Sequence, residues 1–147
     1  MAAQTSSIVF LQYLTTVFDN ITDAIMLIDI ESDGYRLLTA NTAFFTISGY
    51  PQDSISKKIV DIVSPESYRF LLKQYKKTIK TKLPVDYTNW SDTPLGRRAY
   101  TVRLIPIFNT VGDPVQIAGV ARDMTEWMNN QTELEQLRKQ LRAIKRK

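Results

Sequence analysis

The stretch 97–127, RRAYTVRLIPIFNTVGDPVQIAGVARDMTEW, decides the fold. Tyr100, Val102 and Leu104 alternate with Thr101, Arg103 and Ile105, the period of a half-buried strand. Thr110-Val-Gly-Asp-Pro114 interrupts it, with Gly112 free to take a positive φ. Ile117, Gly119 and Ala121 then share one face of a second strand. Asp123-Met-Thr-Glu126 has the form of a capping box, an acceptor side chain with Glu three residues on. A sheet strand is therefore expected to pass directly into a helix, without a linker.

Working backwards, Pro84 restarts the chain as a strand over 85–90, with Val85, Tyr87 and Asn89 on one face and Asp86, Thr88 and Trp90 on the other. Residues 91–96 read as the loop into the long hairpin. Ser64-Pro65 is a helix start. Tyr68, Leu71, Leu72, Tyr75 and Ile79 then form one helical stripe, with Lys73, Lys76, Lys77 and Lys80 off its centre. That basic face lacks the interleaved aromatics of a nucleic-acid platform and reads as solvated, so no nucleic-acid partner is expected. Ile59, Val60, Ile62 and Val63 form an apolar cluster just before it.

Further upstream, residues 24–30 and 35–40 read as a strand pair turning at Ser32-Asp-Gly34. Asn41 is placed to cap the turn that follows, in which Phe44, Phe45 and Ile47 supply core or cavity wall. At the N-terminus, Ile8, Leu11, Leu14, Phe18 and Ile21 recur at helical spacing after Thr5-Ser-Ser7. This helix has two possible seats, its own domain or the same helix of a second subunit. Two strands, then helices, then three strands give an antiparallel α+β sheet.

Two motifs carry a family resemblance. Ala40-Asn-Thr-Ala-Phe44 followed by Ser48-Gly-Tyr50 is similar to a conserved helix turn of PAS domains, and Asp123-Met-Thr125 after Gly-Val-Ala-Arg122 resembles their strand-to-helix junction. The resemblance covers roughly residues 8–125 and implies a five-stranded antiparallel sheet with helices on one face. The expected organisation is an N-terminal amphipathic helix at 1–22, a PAS domain at 23–125 and a C-terminal signalling helix at 126–147. It implies a sensory or regulatory module of a larger, bacterial signalling protein. Such a module binds a small molecule or passes a conformational signal to an output domain such as a histidine kinase or diguanylate cyclase. A ligand-free dimerisation or protein-interaction module is the alternative.

Composition bounds the chemistry. The 147 residues contain no cysteine and no histidine. Disulfides, cysteine nucleophiles, most zinc sites and most catalytic triads are thereby removed, and neither a catalytic nor a metal site is expected. The flavin-binding LOV branch of the family uses a cysteine whose matching position here is Val60, so a covalent flavin adduct is excluded. Of that branch's polar flavin contacts, Asn89 alone survives; the glutamine position is Ala121 and an asparagine position falls near Tyr100. Histidine-ligated haem is excluded on composition, and the cofactor is left unassigned. The expected ligand wall is Phe45, Tyr75, Tyr87, Asn89, Tyr100, Val102 and Ala121, which these side chains could also fill themselves.

Trp127, Asn130, Leu134, Leu137, Leu141 and Ile144 are spaced 3, 4, 3, 4, 3, a coiled-coil seam with Glu133 facing Arg138 of a parallel partner. A homodimer is expected through this seam, with Asp123, Thr125 and Trp127 transmitting the signal and an output domain beyond. Six of the basic residues lie in 138–147, so the net charge of +4 becomes −2 for the preceding residues. With neither a signal peptide nor a membrane span, the chain reads as cytoplasmic.

Overall fold

The computed structural model describes residues 2–146, with side chains described from Ser6 onward. Its centre is one antiparallel sheet of five strands. β1 (Ala24–Glu31) and β2 (Gly34–Ala40) form the first hairpin; β3 (Val85–Thr93), β4 (Gly96–Phe108) and β5 (Pro114–Asp123) form a meander. The order across the sheet is β2-β1-β5-β4-β3, so the last strand is inserted beside the first. Between the two strand groups run α2 (Thr42–Ser48), a 3-10 turn at 52–54, α3 (Ile59–Ile62) and α4 (Pro65–Thr81).

The alternation read from sequence sets the faces. Tyr100, Val102 and Leu104 are buried with Ile117 and Ala121, and Ala24 and Ile28 complete the row on β1. Phe44 and Phe45 of α2 and Tyr68, Leu71, Leu72, Tyr75 and Ile79 of α4 pack onto that inner face. Ser64 caps α4 by accepting from the Ser67 N–H at 3.2 Å, and Pro65 occupies the first turn. Gly49 ends α2 in the left-handed region at φ 74°; a Cβ there would also meet the Pro94 ring at 2.6 Å. That contact ties α2 to the β3–β4 turn, and only glycine satisfies both demands.

Three expectations are corrected. The segment 91–96 is strand rather than loop: Ser91, Asp92 and Thr93 pair with Arg98, Arg97 and Gly96, leaving Pro94 and Leu95 as the turn. The Thr93 hydroxyl closes it, donating to the Gly96 carbonyl at 2.7 Å and accepting from the Leu95 N–H at 3.1 Å. The turn residues at 94–96 had made the whole segment look irregular.

The N-terminal helix α1 (Ala2–Asn20) is already under way at Thr5-Ser-Ser7, so these residues do not start it. Seating along its own domain is not observed: Ile8, Phe10, Leu11, Tyr13, Leu14 and Val17 are exposed. The end of α1 is tied to α2 by the Phe18 carbonyl, which accepts from the Asn41 amide, and by Asp19, which accepts from the Thr42 hydroxyl at 3.4 Å. The third correction concerns the last helix, α5 (Thr125–Lys145), whose N-cap residue is Met124, without a side-chain cap bond, rather than Asp123. No described helix is long and apolar enough to cross a membrane. Met1 and Lys147 lie outside the described residues.

Candidate ligand face and strand-to-helix joint

The expected wall residues converge on the inner face. Strand register sets Tyr87 opposite Val102 and Val102 opposite Ala121, while Tyr100 lies opposite both Asn89 and Asp123. Tyr75 reaches the same layer from α4 and Phe45 from α2. Tyr75, Tyr100, Val102 and Ala121 are buried; Phe45, Tyr87 and Asn89 are half-buried.

Aromatic packing fills part of this layer. The Tyr75 ring lies 4.8 Å from Tyr35, and Phe70 meets Tyr87 edge-to-face at 5.1 Å. Burial pushes the Tyr87 hydroxyl up to about 12. Burial also drives Tyr75 far above the usual phenol value, assisted by Tyr87, Tyr35, Tyr68 and Tyr50 around it. These phenols are neutral hydrogen-bonding groups at any ordinary pH. Toward β1, the Met26 side chain lies over Gly119, where an added Cβ would sit 3.0 Å from its Cγ. Val60, matched with the LOV cysteine, is exposed, whereas its neighbour Ile59 is buried. Among the described residues, no group of three or more His, Cys, Asp or Glu could hold a metal ion.

The second cluster lies where β5 ends. Asp123 accepts from the Thr125 N–H at 2.9 Å and from the Thr125 hydroxyl through the same carboxylate oxygen. The Thr125 oxygen in turn accepts from the Ala99 N–H at 2.8 Å, and the Ala99 carbonyl accepts from the Met124 N–H at 2.8 Å. Arg98 adds a 3.5 Å ion pair to Asp123. The first turn of α5 is thus fastened to β4 as well as to its own strand. Desolvation opposes ionisation of Asp123, but the Thr125 hydrogen bonds and Arg98 outweigh it and hold its carboxyl below the usual value.

Three partners at this joint were missed in the sequence. Arg98 was only one of two adjacent arginines, and Ala99 contributes through its backbone alone. Arg122 pairs with Asp23 at 3.2 Å, linking the end of β5 to the entry of β1; no local periodicity reports a contact of that separation.

Trp127, the third residue of α5, is 56% exposed. Asn130, Leu134, Leu137, Leu141 and Ile144 are exposed as well, so the whole seam of α5 stands unpartnered in the single chain. A groove along α1 lined by Ile8, Leu11, Gln12, Thr15 and Thr16 includes none of the expected wall residues.

The model of the PAS domain family matches residues 12–81. The solved PAS domain of a Colwellia psychrerythraea protein superposes with a TM-score of 0.63 at 18% identity, covering 80% of this chain and 98% of that one. The chain contains a PAS domain. An RNA-binding light-oxygen-voltage receptor shares the fold with a TM-score of 0.69 at 20% identity, over 93% of this chain and 39% of its own. In sequence, the chain is 32% identical over 79 residues to the aerobic respiration control sensor protein ArcB of Escherichia coli (strain K12). That match takes in 53% of this chain and 10% of ArcB, so the chain spans a small part of the curated relative. The PAS match begins inside α1 and ends with α4, whereas the sheet continues through β5.

Proposed function

We infer that this PAS domain is the non-catalytic sensory segment of a larger bacterial signalling protein. Its inner face responds to a small molecule, and its state leaves through α5 to an output domain such as a histidine kinase or diguanylate cyclase. The observation that carries the reading is the Thr125 hydroxyl, which hydrogen-bonds both Asp123 of β5 and the Ala99 N–H of β4. A shift between those two strands changes the geometry at the first residue of α5. Register supports the coupling, because Tyr100 on the inner face lies opposite Asp123 at the joint. The likeness to a sensor protein supports the assignment to signalling.

The exposed seam from Trp127 to Ile144 supports a parallel homodimer, in which a change of helix angle becomes a change of coil register. The ligand-free alternative draws on the aromatic packing of Tyr35 against Tyr75 and Phe70 against Tyr87.

The test fuses the chain to a reporter kinase or cyclase and compares Thr125→Val with the parent. Valine keeps the shape and removes both hydrogen bonds. Output is expected to lose its response while the fold persists; a normal response in a folded Thr125→Val variant sinks the joint.

A further inference from the structure

The cations of this chain fall into two populations. Outside α4, its C-cap residue Lys82 and α5, the described residues contain seven Lys and Arg, and every one is in an ion pair with an Asp or Glu. On α4 the opposite holds. Arg69, Lys73, Lys76, Lys77 and Lys80 are all exposed, and no described residue gives any of them an ion pair or a side-chain hydrogen bond. Glu66, in the first turn, is the one acid of the helix. Arg69, Lys73, Lys76 and Lys80 follow at spacings of 4, 3 and 4, which sets them in a single line opposite the buried Tyr75 and Thr78. At ~1.5 Å per residue that line runs roughly 16 Å along the solvent-facing crest of the helix.

The make-up of the crest narrows its partner. Three lysines and one arginine form the line, and no aromatic side chain interrupts it. Protein interfaces build their centres from aromatic and apolar anchors and are depleted in Lys. Single-stranded nucleic acid needs stacking rings beside a groove that tracks its backbone. An anionic bilayer needs neither. Its diffuse negative charge lies in a plane, meets every cation of a straight ridge at once, and is served by Lys as a point charge. Leu83, two residues past α4, is 64% exposed and supplies an apolar side chain at that end.

We propose that the α4 ridge docks this domain reversibly on an anionic lipid surface, with the line from Arg69 to Lys80 lying along the headgroups. The contact is electrostatic and therefore salt-sensitive. It goes beyond the sensory reading and uses no residue of the strand-to-helix joint.

The test sediments the full chain with vesicles of phosphatidylcholine alone and with vesicles containing about one-third phosphatidylglycerol, the anionic fraction that sets the surface potential. Binding is expected for the anionic vesicles only, and it should fall steeply with added salt. Because α5 ends in a second basic run, two triple variants are compared: Lys73→Gln with Lys76→Gln and Lys80→Gln on α4, and Arg138→Gln with Lys139→Gln and Arg142→Gln on α5. The α4 triple should weaken binding about tenfold or more, and the α5 triple by no more than about twofold. Both should keep the parent circular dichroism spectrum, since all six side chains are exposed. No binding to anionic vesicles at low salt, or equal binding to both vesicle types, overturns the proposal. So does a loss in the α5 triple as large as that in the α4 triple, or capture of a single-stranded oligonucleotide in preference to the vesicles.

Discussion

Two corners of the sheet are stitched by single polar side chains, and they are built to opposite specifications. At the first, Asn41 is 0% exposed and uses its whole amide. Its oxygen accepts from Ile25 N–H at 2.9 Å and Phe44 N–H at 3.1 Å, while its nitrogen donates to the carbonyls of Phe18 at 3.0 Å and Asp23 at 2.9 Å. One residue thus holds the end of α1, the start of β1 and the first turn of α2. At the second corner, the Asp123–Thr125 joint does comparable stitching with side chains open to water. Solvent can reach the Asp123 carboxylate at the second corner and cannot reach the Asn41 amide at the first. A fixed corner and a yielding one, joined by the Asp23–Arg122 pair, suit a domain that must keep its fold while α5 changes angle.

The largest expected effect breaks the fixed corner. Asn41→Ala leaves the Ile25 N–H and the Phe18 and Asp23 carbonyls without their buried partner, while the Phe44 N–H keeps the Asn41 backbone carbonyl; each buried orphan costs about 1–3 kcal/mol, softened by partial relaxation. A total of about 3–5 kcal/mol is expected, a large part of a typical domain stability of about 5–15 kcal/mol. Urea unfolding followed by circular dichroism measures it. A loss below about 1 kcal/mol would remove the distinction between the corners.

The next effect bears on association rather than folding. Leu137→Asp introduces a charge in the middle of the α5 seam, where pairing would bury it unpaired, at a cost of several kcal/mol. Sedimentation should turn a dimeric parent into a monomeric variant with unchanged secondary structure, because Leu137 touches no core in the single chain. Equal dimerisation of both forms excludes the seam and leaves α1 as the apolar surface to test.

Much of this architecture was legible because periodicity and caps are local. The Tyr100-Val102-Leu104 alternation, the α4 stripe and the Ser64-Pro65 start all follow from residues within a few positions of one another. The wall residues share a face because strand parity fixes it, so Tyr87, Asn89, Tyr100 and Ala121 needed no tertiary knowledge. What escaped depends on separation or on the backbone. Asn41 was readable as a cap, but its bonds to Phe18 and Asp23 require the end of α1 to return across the start of α2. Thr125 was readable as part of a motif, whereas its partner Ala99 offers only a backbone N–H. The helix cap was misplaced by one residue, since Asp123 stays in strand geometry and reaches forward to Thr125.

The smallest effect lies at the yielding corner and is the sharpest test of the contrast. Asp123→Ala removes the acceptor for Thr125 and is expected to cost about 0.5–2 kcal/mol, the range for losing a helix-terminal acceptor. The fold should survive, yet about 1.4 kcal/mol is enough to change a two-state population tenfold. The pH dependence has a definite sign. Asp123 has a carboxyl held below its unfolded value of 3.8, so its contribution is fully present above that value and is lost as pH falls through the folded one. Because the carboxylate is more than a third exposed, solvent screens the contribution and keeps it small. The stability difference between parent and Asp123→Asn should therefore be constant near neutrality and shrink once pH drops below about 4. Denaturant melts at matched ionic strength across that interval measure it. A difference that grows on acidification would mean that the protonated carboxyl is the better partner for Thr125, reversing the polarity assigned to the joint.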